Sequence, residues 1–379
     1  MKKILITSTE LMMIQFLVPH VKNLAANGFA VEIACSDVGG RMAEVRDALG
    51  ETVQAIHTLR LERSPVSPRN LLGYGDMRRL LKENRYDIIW TNEPVMGVVT
   101  RLAANKYRRS GTRVVYMCHG FHFYKGAGKF NWLVFYPIER FLSRMCDKIV
   151  TINHEDEARA KTFHCPSVEY IHGIGINTER LHNRNEQSDI RAELGLTDED
   201  FLVLSVGELN ENKNQQVVIR ALAQLKDPKI HYLLCGKGDR RDKLEQLAGE
   251  LGMEKNVHFL GYRRDVVDIC YQCDVFAHAS MREGISVASL EAMYCGLPLV
   301  MSTVRGAEDY LTDGESGFLR NAMDVAGFAD GIRRLKEDAA LRRACGQKNR
   351  ETVKEFCMEQ VKGEILHLFR CTATGEHEN

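Results

Sequence analysis

SMREGISVASLEAMYCGLP, residues Ser280 to Pro298, carries more structural information than any other run in this 379-residue chain. Just before it, CDVFAHAS (273–280) is apolar enough for a buried strand ending near His278 and Ala279. A helix opening at Ile285 or Ser286 is then predicted to reach Tyr294 and to stop ahead of Cys295-Gly296-Leu297-Pro298. Strand, turn and helix in this order, with Ala and Ser crowded into 286–292, suit an anion at the helix N-terminus. Unpaired N–H groups point out there, and small side chains let a phosphate approach. Glu283 sits in the turn, and Glu291 lies about one and a half turns into the helix. Two such glutamates would equally fit a solvated loop and a surface ion pair; their place after an apolar strand favours a ligand.

On either side the same grammar repeats. FLVLSVGELNENKN (201–214) opens a strand series continued by 231–237, 256–262, 274–280, 297–302 and 317–320. Helices are predicted near 215–225, 239–251, 264–271, 285–294 and 306–311. In one parallel sheet the ends at 207, 236, 261, 280 and 303 would converge. Gly207 permits close main-chain approach, and the Lys213 ammonium could hold a diphosphate. Gly261, Tyr262 and Arg263 could receive a planar base. Arg282, Arg305 and Gly306 flank the central turn, and Gly284, Ile285 and Ser286 supply its amides. One anionic, nucleotide-like ligand is therefore expected here.

The first half is a similar series. Strands are predicted at 2–9, 29–36, 54–61, 87–93, 113–119, 148–155 and 168–175, with helices at 16–26, 41–49 (after Gly39-Gly40), 70–84 and 95–107 and an amphipathic segment at 130–147. His119-Gly120 falls at a strand's carboxyl end, where α/β sheets place ligands. His122 and Lys125 follow in the aromatic loop HGFHFYKGAG, whose rings could stack on a saccharide or simply pack. His172 reads equally as a structural residue. Residues 177–200 turn polar, and the domain boundary is expected there. The expected domains are 1–180, 181–350, and a C-terminal helix with its tail (351–379) packing back on the first domain.

Lys and Arg number 51, as do Asp and Glu, but residues 1–180 carry 25 basic against 18 acidic and residues 181–379 carry 26 against 33. A basic first half favours an anionic surface or substrate. The basic residues are dispersed and accompany no nucleic-acid-binding motif, so nucleic acid is not expected. Eleven cysteines without framework spacing point to a reducing compartment, and the lone Cys270-x2-Cys273 pair to no zinc site. MKKILITST reads as a strand, and no apolar run reaches 18 residues. There is no G-x-S-x-G, P-loop, G-x-G-x-x-G or H-E-x-x-H.

EGISVASLE with AMYCGLPLV, VRGAEDYLTDGESGFL and HGFHFYKGA together resemble the retaining glycosyltransferases of family 4, over nearly the whole chain. The last loop resembles a branch that builds bacterial capsular, exopolysaccharide or lipopolysaccharide repeats. The resemblance implies the GT-B architecture: two Rossmann-like parallel-sheet domains facing each other across a cleft. It gives Glu283 the donor sugar hydroxyls, Glu291 the ribose diol, Lys213 the diphosphate and His119 a place near the reacting centre. Gly306 lies in a loop approaching the donor, and Thr9, Glu10 and Gln15 stand where the acceptor would enter, with Gly120, His122 and Lys125. One departure is Glu208, where the family usually has a second diphosphate-binding arginine.

The expectation is a metal-independent, retaining transfer of a hexose or N-acetylhexosamine from a UDP-sugar to an undecaprenyl-diphosphate-linked saccharide. No cofactor beyond that donor is expected, and the place would be the cytoplasm with peripheral contact at the inner membrane. Two rival readings share the architecture: a nucleotide-sugar epimerase or phosphorylase, and a non-catalytic nucleotide-sugar-binding subunit suggested by Glu208.

Overall fold

The computed structural model describes residues 1–374 except 39–41, 184, 186 and 187, with only the main chain of Met12. The chain forms two compact units: residues 1–175 joined by 358 onward, and residues 176–357. The expected bounds were 180 and 350.

The first unit holds seven parallel strands: β1 (Lys2–Ser8), β2 (Phe29–Cys35), β3 (Ala55–Thr58), β4 (Ile88–Asn92), β5 (Arg113–Cys118), β6 (Lys148–Thr151) and β7 (Ser167–Tyr170). Their order is β3-β2-β1-β4-β5-β6-β7. Near-continuous burial of β2 and β4 reflects a sheet covered on both faces. The cover comes from α1 (Leu11–Ala26), α2 (Met42–Leu49), α3 (Arg69–Glu83), α4 (Pro94–Arg108), α5 (Lys129–Leu142) and α6 (His154–Ala160). The order reverses between β1 and β4, so their carboxyl ends diverge into the crevice that such sheets use for ligands.

The second unit begins with two short helices, α7 (Thr178–His182) and α8 (Ile190–Leu194). Its six parallel strands are β8 (Phe201–Val206), β9 (Ile230–Cys235), β10 (Val257–Gly261), β11 (Val275–His278), β12 (Leu299–Ser302) and β13 (Gly317–Arg320). They run β10-β9-β8-β11-β12-β13, with the reversal between β8 and β11. Helices α9 (Gln216–Leu225), α10 (Arg241–Glu250), α11 (Val266–Cys270), α12 (Val287–Cys295), α13 (Val325–Glu337) and α14 (Ala339–Thr352) complete it. The unit's two ends meet in a bridge between Ile176 and Cys357.

A last helix, α15 (Met358–Thr374), belongs to the first unit. It lies on α1, where Asn23 Nδ2 donates to the Lys362 carbonyl at 3.1 Å, and the Phe369 ring stands 5.0 Å from Trp90. Glu364 holds His172, accepting from its backbone N–H at 3.0 Å and meeting Nδ1 at 2.7 Å, so His172 is a structural residue.

Several predicted elements differ. Helix α1 starts at Leu11 instead of Phe16, because Leu11, Ile14, Leu17, Val21 and Leu24 are all buried and the sequence there loses its polar face. The strand expected to 155 ends at Thr151: the Asn153 side chain accepts from the Asp156 amide at 2.8 Å and caps α6. No helix forms at 306–311, where consecutive turns run instead. Residues 371–374 of the tail, expected to be disordered, continue α15. Gly39-Gly40 and residues 375–379 lie outside the described residues.

Candidate donor site and first-unit strand ends

Gly207, directly after β8, has a φ of 150°, and a β-carbon there would touch the Lys213 side chain at 3.4 Å. Gly236, one strand over, could carry no side chain at all: a β-carbon would sit 1.8 Å from the Gly207 carbonyl oxygen. Two glycines thus let the β8 and β9 ends approach and leave room for Lys213. The 210–214 turn is then clipped to the turn after β11. Met281 N–H donates to the Asn212 carbonyl at 2.7 Å, and Asn212 Nδ2 donates to the Arg282 carbonyl at 3.0 Å. Asn214 Nδ2 adds bonds to the carbonyls of Ala279 (3.2 Å) and Ala322 (2.7 Å).

This clip brings Lys213 and Glu283 together, Nζ to Oε1 at 2.6 Å. His278, buried at the end of β11, reaches the same oxygen with Nε2 at 3.1 Å and the Ser280 hydroxyl at 2.9 Å. Burial drives the His278 imidazole below its ordinary range and so keeps it neutral. The Nε2–H tautomer is the one that faces a carboxylate without repulsion. Burial alone would raise the Glu283 carboxyl; His278 and the Lys213 charge outweigh it and hold it at about 2.

Ser286 caps α12, its hydroxyl accepting from the Ser289 amide at 3.2 Å. The helix begins one residue beyond the expected start and ends at Gly296, whose φ is 84°. Gly284 and Ile285 lie half-buried in the turn leading to it. Glu291, on its second turn, pairs with Arg180 from α7. Burial raises its carboxyl pKa in spite of that cation, which is itself half exposed.

The remaining donor-side candidates differ in their engagements. Arg263 is bound by Glu193 at 2.7 and 2.9 Å and by Asp265 at 2.8 and 2.6 Å, so its charge is already matched. Tyr262 is exposed after Gly261, and Arg282 is exposed in the central turn. Arg305 is half-buried and Gly306 buried within the turns of 305–310. Glu208 is exposed and accepts from Asn210 Nδ2 at 3.0 Å.

In the first unit, His119 follows β5, and its Nε2 lies 3.0 Å from Asn92 Oδ1. Asn92 Nδ2 donates to the Thr7 carbonyl at 3.2 Å, which makes Oδ1 the acceptor and places the His119 proton on Nε2. Desolvation pushes His119 down to about 4, leaving a neutral ring with Nδ1 as a lone-pair acceptor. Thr9 is consumed internally: its amide donates to Glu93 at 2.7 Å, its hydroxyl accepts from the Met96 amide at 3.1 Å, and its carbonyl accepts from Ser36. Glu10 is buried and paired with Arg63. Gln15 is half-buried on α1, Gly120 has a φ of 137°, and Lys125 is exposed with its amide on Glu155. In the aromatic loop Phe121 and Phe123 are buried and stacked 4.8 Å apart, while His122 stacks on Phe135 at 4.7 Å. Those phenyl rings pack the core.

Sequence reasoning missed His278, Asn92, Glu93 and Arg180 as partners. His278 alone left a trace, a polar residue inside an otherwise apolar strand. Among the described residues no group of three or more His, Cys, Asp or Glu is placed to hold a metal ion.

Residues 17–180 match the model of the family described as Glycosyltransferase Family 4, and residues 186–352 that of Glycosyl transferases group 1. EpsD of Bacillus subtilis (strain 168), a protein assigned to the glycosyltransferases, is 38% identical over 315 residues, 82% of this chain and 83% of that one. The chain belongs to the family 4 glycosyltransferases. An Escherichia coli relative of this transferase, UDP-Gal:alpha-D-GlcNAc-diphosphoundecaprenol alpha-1,3-galactosyltransferase, is 26% identical over 83% of this chain and 81% of its own. Among solved structures, HepE from Anabaena in complex with UDP has a TM-score of 0.79 at 21% identity, covering 98% of the transferase and all of HepE. WaaG, a glycosyltransferase involved in lipopolysaccharide biosynthesis, has 0.70 at 18%, over 96% and 99%. These structures establish the fold of two Rossmann-like domains.

Proposed function

We propose that the transferase moves a hexose or N-acetylhexosamine from a UDP-sugar, with retention, to a lipid-linked saccharide during assembly of a bacterial surface polysaccharide. The observation that carries this reading is the Lys213–Glu283–His278 cluster at the strand-order reversal of the second sheet, beside the capped start of α12. A departing diphosphate needs positive charge while the anomeric carbon becomes cationic. Lys213 and the first-turn amides of α12 supply it, and Glu283 and Glu291 accept sugar and ribose hydroxyls. Without ligand Lys213 and Glu283 neutralise each other, so an arriving diphosphate takes over the ammonium and frees the carboxylate for a sugar hydroxyl. His119 keeps the role implied by the resemblance, a hydrogen bond to the donor sugar. The relatives' substrates support a UDP-sugar and an undecaprenyl-diphosphate-linked acceptor.

The test uses purified full chain with Glu283→Gln and Lys213→Ala. UDP-, GDP- and CMP-sugars are first ranked by thermal shift, since a bound donor stabilises by about 2.7 kcal/mol at a hundred times its Kd. Each variant is expected to lose about a hundredfold to a thousandfold in turnover with unchanged far-UV circular dichroism. Near-normal turnover in both would overturn the assignment. Glu208 favours one second reading, a binding-only subunit; firm UDP-sugar binding with no transfer to any lipid extract would select it.

A further inference from the structure

We propose that the outward face of α5 docks this chain onto an anionic lipid bilayer. Helix α5 inverts the usual surface pattern. Phe130 is 68% exposed, Leu133 76%, Ile138 43% and Phe141 52%. At 100° per residue these positions fall with Pro137 on one stripe of the helix. A water-facing stripe normally carries charge, and contiguous exposed apolar side chains mark an interaction surface.

What turns that stripe outward is a lock on the opposite side. Glu139, the single acid of α5, is buried and meets Arg101 of α4 at 2.8 Å. Arg101 is itself fully buried, with its guanidinium 3.9 Å from the centre of the Tyr116 ring. Trp132 and Tyr136 face inward too, against Phe123 and Phe163. With that side anchored, the helix has no rotation that would bury Phe130, Leu133 and Phe141.

Charge selects the occupant. Lys129, Arg140 and Arg144 are exposed on the flank of the stripe, and among the described residues none of the three is in an ion pair. Arg144 instead lies 3.0 Å from His164 Nε2. Residues 101–150 hold ten Lys or Arg against two acids, Glu139 and Asp147. Both acids are engaged, the second with Arg108 at 2.9 Å. An apolar stripe beside uncompensated cations matches a bilayer with acidic headgroups, the stripe entering the acyl boundary and the cations meeting phosphate. Among the described residues no helix is long and apolar enough to cross a membrane, so the contact is with one leaflet.

Co-sedimentation of the full chain with phosphatidylcholine vesicles, with and without one-third phosphatidylglycerol, tests this. Binding is expected only to the acidic vesicles and is expected to weaken in high salt. Phe130→Ser/Leu133→Ser/Phe141→Ser should abolish it, and Arg140→Gln/Arg144→Gln should weaken it by about thirtyfold. Should the triple variant misfold, Phe130→Trp gives a second reading: its emission should shift to the blue and be quenched by brominated phosphatidylglycerol. No binding by the parent chain, equal binding by the variants, or an unquenched Trp at 130 would each overturn the proposal. So would a dimer in sedimentation velocity that the triple variant dissolves, since the stripe would then cover a second copy of the chain. Vesicle binding is read without donor or acceptor, so it stands or falls independently of the transfer reaction.

Discussion

Glu283 and Glu291 are the same side chain eight positions apart, yet their surroundings push them in opposite directions. Glu283 has His278 and Lys213 on one oxygen and stays ionised down to about 2. Glu291 has one half-exposed arginine, and burial prevails. The sequence shows the glutamates plainly, but not the cations they meet, Lys213 and Arg180, which lie 70 and 111 residues away. A spacing pattern reports one helix and its turn; it says nothing about which distant turn folds against it. His20 allows a cleaner test of buried charge. The ring is fully buried, bonded to the Ile174 carbonyl at 2.8 Å, and burial holds it at about 4 against an ordinary 6.5. As pH falls below about 6.5 the unfolded chain takes up a proton that the folded chain refuses until about 4. Stability is therefore present above that window and lost across it, at about 1.4 kcal/mol per pH unit and about 3 kcal/mol in all. His20→Leu should flatten the pH dependence of chemical unfolding between 4.5 and 6.5 by one proton. Glu283 does not confuse that reading, because its contribution is full above about 4.5 and is lost only as pH falls towards 2. An unchanged slope would show that His20 is hydrated.

At the scale of elements, the strand–helix alternation was readable almost throughout, because the central strands of both sheets are buried, largely apolar runs. It failed where a side chain and not a period sets the boundary. Asn153 starts α6 inside what reads as a strand, and the turns at 305–310 carry apolar residues that mimic a helix. The junction between β4 and α4 was equally hidden. Glu93 adopts φ 64° and ψ 156°, a conformation that a β-carbon disfavours. It is held there by accepting from Ser8 Oγ at 2.5 Å and from the amides of Thr9 at 2.7 Å and Glu10 at 3.3 Å. One carboxylate thereby fixes the turn after β1 from the neighbouring strand. Glu93→Ala should cost about 2–3 kcal/mol in chemical denaturation, while Glu93→Gly should recover about 1 kcal/mol of that by relieving the positive φ. If glycine proves as costly as alanine, the backbone is not the strained part.

For the whole molecule, the two-domain reading comes from length and from the two strand series, and the family motifs make the carboxyl ends of the second sheet the expected ligand side. The return of α15 to the first unit rests on contacts no periodicity encodes: Val361, Ile365, Leu368 and Phe369 are fully buried there. At about 1.5–3 kcal/mol each, these four side chains represent roughly 6–12 kcal/mol, comparable to the whole stability of a domain. A chain ending at Cys357 should keep the second unit folded and lose the first, which limited proteolysis with circular dichroism would show. Equal protease resistance of both units would mean that α1 and Trp90 find other cover. The same arrangement sets an order of events on the ribosome. Residues 1–175 emerge first but cannot finish folding until residue 358 and those after it have been made. Translation of 176–357 takes roughly 10–40 s. Throughout that interval the nascent first sheet exposes the α1 groove reserved for its closing helix, whereas the second unit is one continuous stretch and waits for nothing beyond residue 357, so a chaperone that attends synthesis should be found on the amino-terminal part.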